Sequence, residues 1–278
     1  MTCRFIPGRM YRMPAVFGPS LGPRQGEDGR KFISPGSHKT ITRSVSFLTN
    51  QDQLEEMLPE GFAVRGEPVA TVFASYMTEI EWLAGRGYNV LGVTIPVTFI
   101  GKVDRAIGSF LTVLWENLTD PILTGREELG VAKIYCDLPE PRIHQGVTHC
   151  TASWMGFKFM DLTLSNLTPA SPAPAVSSAA PPEDGGLLHY KYMPRTGAWG
   201  EADAAYVTLT PAAALQRVEQ GVWRGQGTVQ FHRATWEDLP TQYTIVNAFQ
   251  QLEIKEYRGA TVVQSVGAKD LSDQRILR

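Results

Sequence analysis

From Val93 to Ile100 the chain reads Val-Thr-Ile-Pro-Val-Thr-Phe-Ile, a nearly continuous apolar run whose length suits a strand buried inside a sheet. Similar runs recur. Arg43 to Leu48 alternates polar and apolar residues, and Val69 to Tyr76 is rich in small and β-favouring ones. Phe110 to Trp115, Ala132 to Cys136, Gly146 to Leu164, Tyr206 to Leu209 and Val222 to His232 continue the pattern. Helical signals are few. Gln51 to Leu58 has Asn50 as its N-cap and Pro59 beyond its end, Pro211 to Gln220 reads as an amphipathic helix, and Leu239 to Ala248 is mixed. The predicted fold class is α+β, mainly antiparallel β with few helices.

With 43% of its 278 residues hydrophobic, the chain can build a sizeable core. Its opening holds Pro7, Gly8, Pro14, Gly18, Pro19, Gly22 and Pro23, so residues 1–30 are expected to form an extended arm, suited to packing on a neighbouring subunit. Residues 31–278 are expected to form a single domain with a Pro/Ala/Ser-rich loop at 168–186. A net charge of -2 gives no reason to expect nucleic acid or an acidic membrane as partner, and no apolar run is long enough to span a bilayer. Three cysteines, Cys3, Cys136 and Cys150, lack paired spacing, which favours a reducing compartment and a cytoplasmic location. The histidines show no metal-centre or triad spacing, and no nucleotide fingerprint occurs, so neither metal nor cofactor is expected.

One segment carries chemistry. Gly125-Arg126-Glu127-Glu128-Leu129-Gly130-Val131-Ala132-Lys133-Ile134-Tyr135 sets one lysine among small and apolar neighbours at a helix-to-strand junction. A lysine in water titrates near about 10.4 and is almost wholly protonated at neutral pH. Burial penalises the ammonium form, so an amine folded into apolar surroundings can attack a carbonyl and form a Schiff base.

This segment resembles the active-site stretch of the acetoacetate decarboxylase family, in which Gly-Arg-Glu precedes the nucleophilic lysine by a few residues. Other stretches agree in order: Leu48-Thr49-Asn50 through Leu58-Pro59-Glu60-Gly61-Phe62, Ile95-Pro96-Val97-Thr98-Phe99, Tyr190-Lys191-Tyr192-Met193-Pro194, Val222-Trp223-Arg224-Gly225, and Leu239-Pro240 leading into Ile245-Val246. The resemblance implies an acetoacetate decarboxylase-like β-barrel or sheet fold, a homo-oligomer and a Schiff-base lyase. It also implies a keto acid or other carbonyl substrate, with Lys133 as the catalytic residue.

The chain departs from the family pattern in places. Ile134 stands where a second lysine follows the first, and Tyr88-Asn89-Val90-Leu91-Gly92 occupies the stretch where a glutamate precedes the Ile-Pro-Val strand. Near the family's N-terminal arginine lie Lys39 and Arg43. These changes leave open an aldolase or dehydratase of the same group without decarboxylase activity, or a non-catalytic small-molecule-binding relative. Supporting residues are then sought in Arg126 and Glu127 of the motif, and in Tyr88 and Asn89 as hydrogen-bonding replacements for the carboxylate. Glu79 and Glu81, two apart, would share one strand face as an acid or base, while Trp82 and Trp115 would wall the pocket.

Overall fold

Each strand-like run pairs in a sheet. The computed structural model describes residues 4–32, 36–171, 184–212, 217–269 and 271–278. Its strands are β1 (Lys39–Leu48), β2 (Phe62–Val64), β3 (Val69–Thr78), β4 (Tyr88–Ile100), β5 (Arg105–Glu116), β6 (Lys133–Tyr135) and β7 (Arg142–His144). There follow β8 (Val147–Trp154), β9 (Phe157–Ala170), β10 (Asp184–Pro194), β11 (Ala202–Pro211), β12 (Val218–Phe231), β13 (Glu256–Val266) and β14 (Arg275–Leu277). Three α-helices accompany them: α1 (Gln51–Glu55), α2 (Thr119–Thr124) and α3 (Tyr243–Gln250). The strands join in the order β14-β11-β10-β5-β4-β3-β1-β13-β12-β9-β8-β7, with β2 on β4 and β6 on β5. All pairings are antiparallel except β10 with β5 and β5 with β6. Among the described residues the path is open, so the sheet does not close into a barrel.

Local chemistry explains several boundaries. Asn50 caps α1 by accepting from the Asp52 N–H at 2.9 Å. Pro96 has no N–H to donate, and it falls where β4 changes partner, between the pairing of Thr94 with β3 and of Val97 with β2. The expected helix over Pro211–Gln220 is not formed in the described part: Pro211 pairs with Gly186 and Val218 with Val266, while residues 213–216 lie outside the described ones. Each end of the segment is drawn into the strand beside it, Pro211 against β10 and Val218 against β13, and that pairing overrides the helical periodicity there. The loop expected over 168–186 is trimmed likewise, since Thr168 to Ala170 pair with β12 and Asp184 with β5; residues 172–183 lie outside the described ones.

The bent sheet has two unlike faces. On one, Val45, Leu91, Trp115, Phe159, Leu162 and Phe249 belong to the main core. On the other, Val90, Leu111, Leu114, Leu129 and Val131 form a smaller cluster around the β5–β6 edge. No helix among the described residues is long and apolar enough to cross a membrane.

Trp115 and Gln242 tie α3 to that edge. The indole N–H donates to Gln242 Oε1 at 2.7 Å, and Gln242 Nε2 donates to the Tyr135 carbonyl at 3.0 Å. Gln242→Leu strands a buried indole N–H and a carbonyl, so urea unfolding is expected to show a loss of about 1–3 kcal/mol. An unchanged midpoint would rule out this bridge as a structural tie.

Candidate active site

Two parallel strands build the site. Leu114 stands opposite Lys133 and Glu116 opposite Tyr135. Backbone bonds lock the register, with the Leu114 N–H on the Ala132 carbonyl at 2.9 Å and the Cys136 N–H on the Glu116 carbonyl at 3.1 Å. Because side chains alternate along a strand, Leu114 and Glu116 leave β5 on the same face. Lys133 lies on that side, and its Nζ is 2.8 Å from Glu116 Oε1, with side-chain exposures of 10% and 1%. Nζ also donates to the Pro121 carbonyl at 2.9 Å. Burial raises the Glu116 carboxyl above the usual carboxylate range, and the Lys133 ammonium only partly offsets this.

The segment before Lys133 is shaped around its side chain. Helix α2 runs into a single π-helical turn, Gly125–Leu129, which ends at Gly130 with φ 77°. A Cβ on Gly125 would sit 2.3 Å from both Cδ and Cε of Lys133 and 2.8 Å from Nζ, so only glycine leaves room for the lysine. The first glycine of the Gly-Arg-Glu motif therefore has a steric function.

The amine opens on a cavity of about 130 Å³ walled by Phe32, Ile80, Trp82 and Leu271, with Tyr88, His38, Thr124, Arg24 and Lys269 as polar members. Burial and the nearby Glu116 push the Tyr88 phenol up, so it stands there as a neutral O–H. Arg24 reaches the wall from the N-terminal arm and pairs with Glu128 at 2.9 Å. Arg12 also pairs with Glu128, at 3.3 Å, and bonds the Thr124 hydroxyl. These contacts seat the arm on the motif helix. Behind the lysine lies His189, 2% exposed, with Nε2 3.3 Å from the Thr210 hydroxyl and Nδ1 unpartnered. Burial, and then the Lys133 charge, bring its titration down to about 3, so it is neutral at physiological pH.

Of the residues singled out in the sequence, Lys133, Tyr88 and Trp82 meet at this cavity. Arg126 reaches only the backbone, donating to the Lys133 carbonyl at 2.8 Å, and its side chain lines a groove with Ile134 on the opposite side of β6. Glu127 supplies a backbone carbonyl to Lys191 Nζ at 2.6 Å. Asn89 is not in the cavity: it follows Tyr88 in the strand, so it faces the other way and donates to the Leu138 carbonyl at 2.9 Å. Trp115 is turned away for the same reason, next to Glu116, and stacks in the main core 5.3 Å from Phe159. Glu79 and Glu81 share no strand face, because β3 ends at Thr78 and Glu79 turns with φ 56°. Glu79 pairs in the open with Lys39 at 2.5 Å, while Glu81 begins a 3-10 turn. Cys136 fills the main core. Glu116 carries no motif in the sequence, and His189 is one of five histidines without metal-centre or triad spacing. A carboxylate ending an apolar strand was the available signal for Glu116; an isolated histidine in a strand gave none for His189.

A mixed sheet with few helices, arranged in this order, is a fold already represented among solved structures. The chain belongs to the acetoacetate decarboxylase (ADC) family, whose sequence model matches residues 13–269. It matches no curated protein sequence. Among solved structures it is similar to the acetoacetate decarboxylase of Legionella pneumophila, with 16% identity, 90% of each chain covered and a TM-score of 0.65. It is also similar to an acetoacetate decarboxylase-like enzyme from Sphingomonas wittichii RW1, with 16% identity, 98% of this chain and 99% of that one covered, and a TM-score of 0.65. A third similar structure is the enduracididine biosynthesis enzyme MppR complexed with the condensation product of pyruvate and imidazole 4-carboxaldehyde. There the identity is 15%, the coverage 92% of this chain and 97% of that one, and the TM-score 0.63. At such identities the likeness is one of fold.

Two outcomes follow from this geometry. Gly125→Ala drives a methyl into the Lys133 side chain and is expected to cost about 1–3 kcal/mol in urea unfolding. A crystal structure of the variant should show Nζ displaced from Glu116; an unmoved lysine would refute the steric argument. His189 should also shape the acid limb of stability. Its folded pKa lies below the unfolded one, so only the unfolded chain takes up this proton between about pH 6.5 and 3, and acidification favours unfolding there. Compared with His189→Gln, the native protein should lose about 1.4 kcal/mol more per pH unit across that window. Parallel stability curves for the two proteins would exclude a neutral buried imidazole.

Proposed function

We propose that this protein is a carbon–carbon lyase that forms a Schiff base between Lys133 and a small 3-oxo or other keto acid. The observation that carries the reading is the 2.8 Å contact of Lys133 Nζ with buried Glu116 at the wall of an apolar cavity. Passing one proton from Nζ to Glu116 leaves an amine and a carboxylic acid, both uncharged, and burial favours that pair over two buried ions. The raised proton affinity of Glu116 suits it to take the proton. The amine then adds to the ketone carbon. Glu116 returns a proton to the departing hydroxyl, water leaves, and an iminium remains. In decarboxylation, the bond to the carboxylate breaks and its electron pair moves to the positive nitrogen, giving carbon dioxide and an enamine. Protonation at carbon and hydrolysis release the ketone and restore Lys133.

The cavity limits the substrate. An apolar cavity of about 150 Å³ holds a molecule the size of benzene, so the space beside Lys133 suits a keto acid of a few carbons. Phe32, Ile80, Trp82 and Leu271 give the substrate's carbon chain an apolar wall, while Arg24 and Lys269 in the same lining offer positive charge to its carboxylate. The aldolase or dehydratase alternative is supported by Glu116 and Tyr88. Together they place a titrating carboxyl and a neutral hydroxyl beside the nitrogen, as proton transfer at a hydroxyl or carbon requires.

Intact mass after incubation with acetoacetate or pyruvate and borohydride tests the shared step. The native chain should gain one reduced adduct, Lys133→Ala none, and Glu116→Gln should form it about 100-fold more slowly or worse, with melting temperatures confirming folded variants. An adduct that persists in Lys133→Ala, or none with any keto acid, would reject the proposal. Carbon dioxide release against aldol or dehydrated products, measured without borohydride, then separates the two reactions.

A further inference from the structure

The sheet face turned away from Lys133 holds a second polar centre. Arg43 lies in β1 between Ala74 of β3 and Val262 of β13, on the side of Val45 and Phe47, and is only 8% exposed. No ion pair to it occurs among the described residues, and its Nη1 is closed off from solvent without a hydrogen-bond partner. The guanidinium carbon stands 5.2 Å from the centre of the Tyr76 ring, and the buried Tyr76 hydroxyl has the buried Cys150 thiol as its neighbour. A buried cation without a counter-charge is costly, and a cation–π contact offsets only part of that cost.

What adjoins Arg43 is a cavity of about 500 Å³. Thr148, Ser165 and Gln264 contribute hydroxyl and amide groups, while Ile143, Leu167 and Trp223 contribute apolar wall. Among the described residues no aspartate or glutamate lines it. The carboxylate nearest Tyr76 in electrostatic reach is Glu140, which accepts from Asn89 Nδ2 at 3.3 Å. This centre is separate from the lysine site. Strands β3, β4 and β5 intervene between β1 and β6, about four spacings of 4.8 Å each, and the two side chains leave opposite faces of the sheet.

We propose that this cavity binds a small organic monocarboxylate, with its carboxylate on Arg43 and its apolar body against Trp223 and Leu167. A guanidinium presents paired N–H groups that fit one carboxylate. A single cation among neutral donors and apolar walls matches one negative charge and a hydrocarbon body, not a phosphate or a dicarboxylate.

Sodium butyrate is a suitable probe because it has no ketone and cannot form an imine with Lys133. Thermal melting and calorimetric titration of the native chain, Lys133→Ala and Arg43→Met, with sodium chloride at equal ionic strength as reference, test the site. Butyrate should raise the melting temperature of the native chain and of Lys133→Ala alike, well beyond chloride, and Arg43→Met should bind it at least about tenfold more weakly. Without carboxylate, Arg43→Met should melt at or above the native temperature, since it removes an uncompensated cation. The proposal is overturned if butyrate acts no differently from chloride, if its effect survives in Arg43→Met or disappears in Lys133→Ala, or if Arg43→Met melts well below the native chain.

Discussion

The pairing of β5 with β6 is the constraint on which the site depends. These two short parallel stretches bring Glu116 and Lys133, seventeen positions apart in sequence, into a 2.8 Å contact that water barely reaches. Parallel neighbours need a crossover, and here it is unusually compact: α2 and one π turn fill it. The π turn carries the chain around the lysine, whose side chain runs against the bare Cα of Gly125. Pro121 supplies a carbonyl to Nζ and the motif arginine supplies a donor to the Lys133 backbone. The Gly-Arg-Glu segment thus acts mainly as a scaffold for the lysine, and the carboxylate in contact with Nζ comes from the preceding strand.

Much of this was readable in the sequence because it depends on local periodicity. The strands, the Asn50 cap and the helix-to-strand junction at Lys133 follow from alternation, side-chain capping and a change of period, each visible within about ten residues. The partner of Lys133 was not readable, since Glu116 becomes its neighbour only through a register that no short window contains. Two errors were avoidable. Tyr88 and Asn89 are consecutive in one strand, as are Trp115 and Glu116, so in each pair only one residue can face the cavity. Alternation assigned the apolar faces correctly and would have divided these pairs too. Glu79 is a different case. It adopts φ 56° just after β3 ends, a break in the backbone that its side-chain chemistry does not announce.

A sheet with two unlike faces lets this fold separate stability from chemistry. Trp115, Phe159, Phe231 and Phe249 stack on one face, with ring centres 5.3 to 6.4 Å from the indole. Directly next to Trp115 in sequence, Glu116 points to the opposite side. The aromatic core therefore fixes the backbone from which the Glu116 carboxylate projects, without contributing to the cavity. From the cavity side the N-terminal arm adds Arg24, anchored through Glu128 on the π turn. The chain ends of the site are held by ion pairs at its rim and by apolar packing at its base.

This separation bears on the missing second lysine. Ile134 packs toward the main core, while Lys133 faces the cavity, as strand alternation requires. A cation at position 134 would project into the opposite groove, beside Arg126, and away from Nζ. Sequence adjacency therefore makes position 134 a poor place from which to act on the lysine directly. Glu116 touches Nζ, and its burial raises its affinity for a proton, an effect the Lys133 charge opposes. The proposed reaction therefore relies on a buried carboxylate in contact with Nζ, and not on a neighbouring ammonium, to take a proton from the lysine.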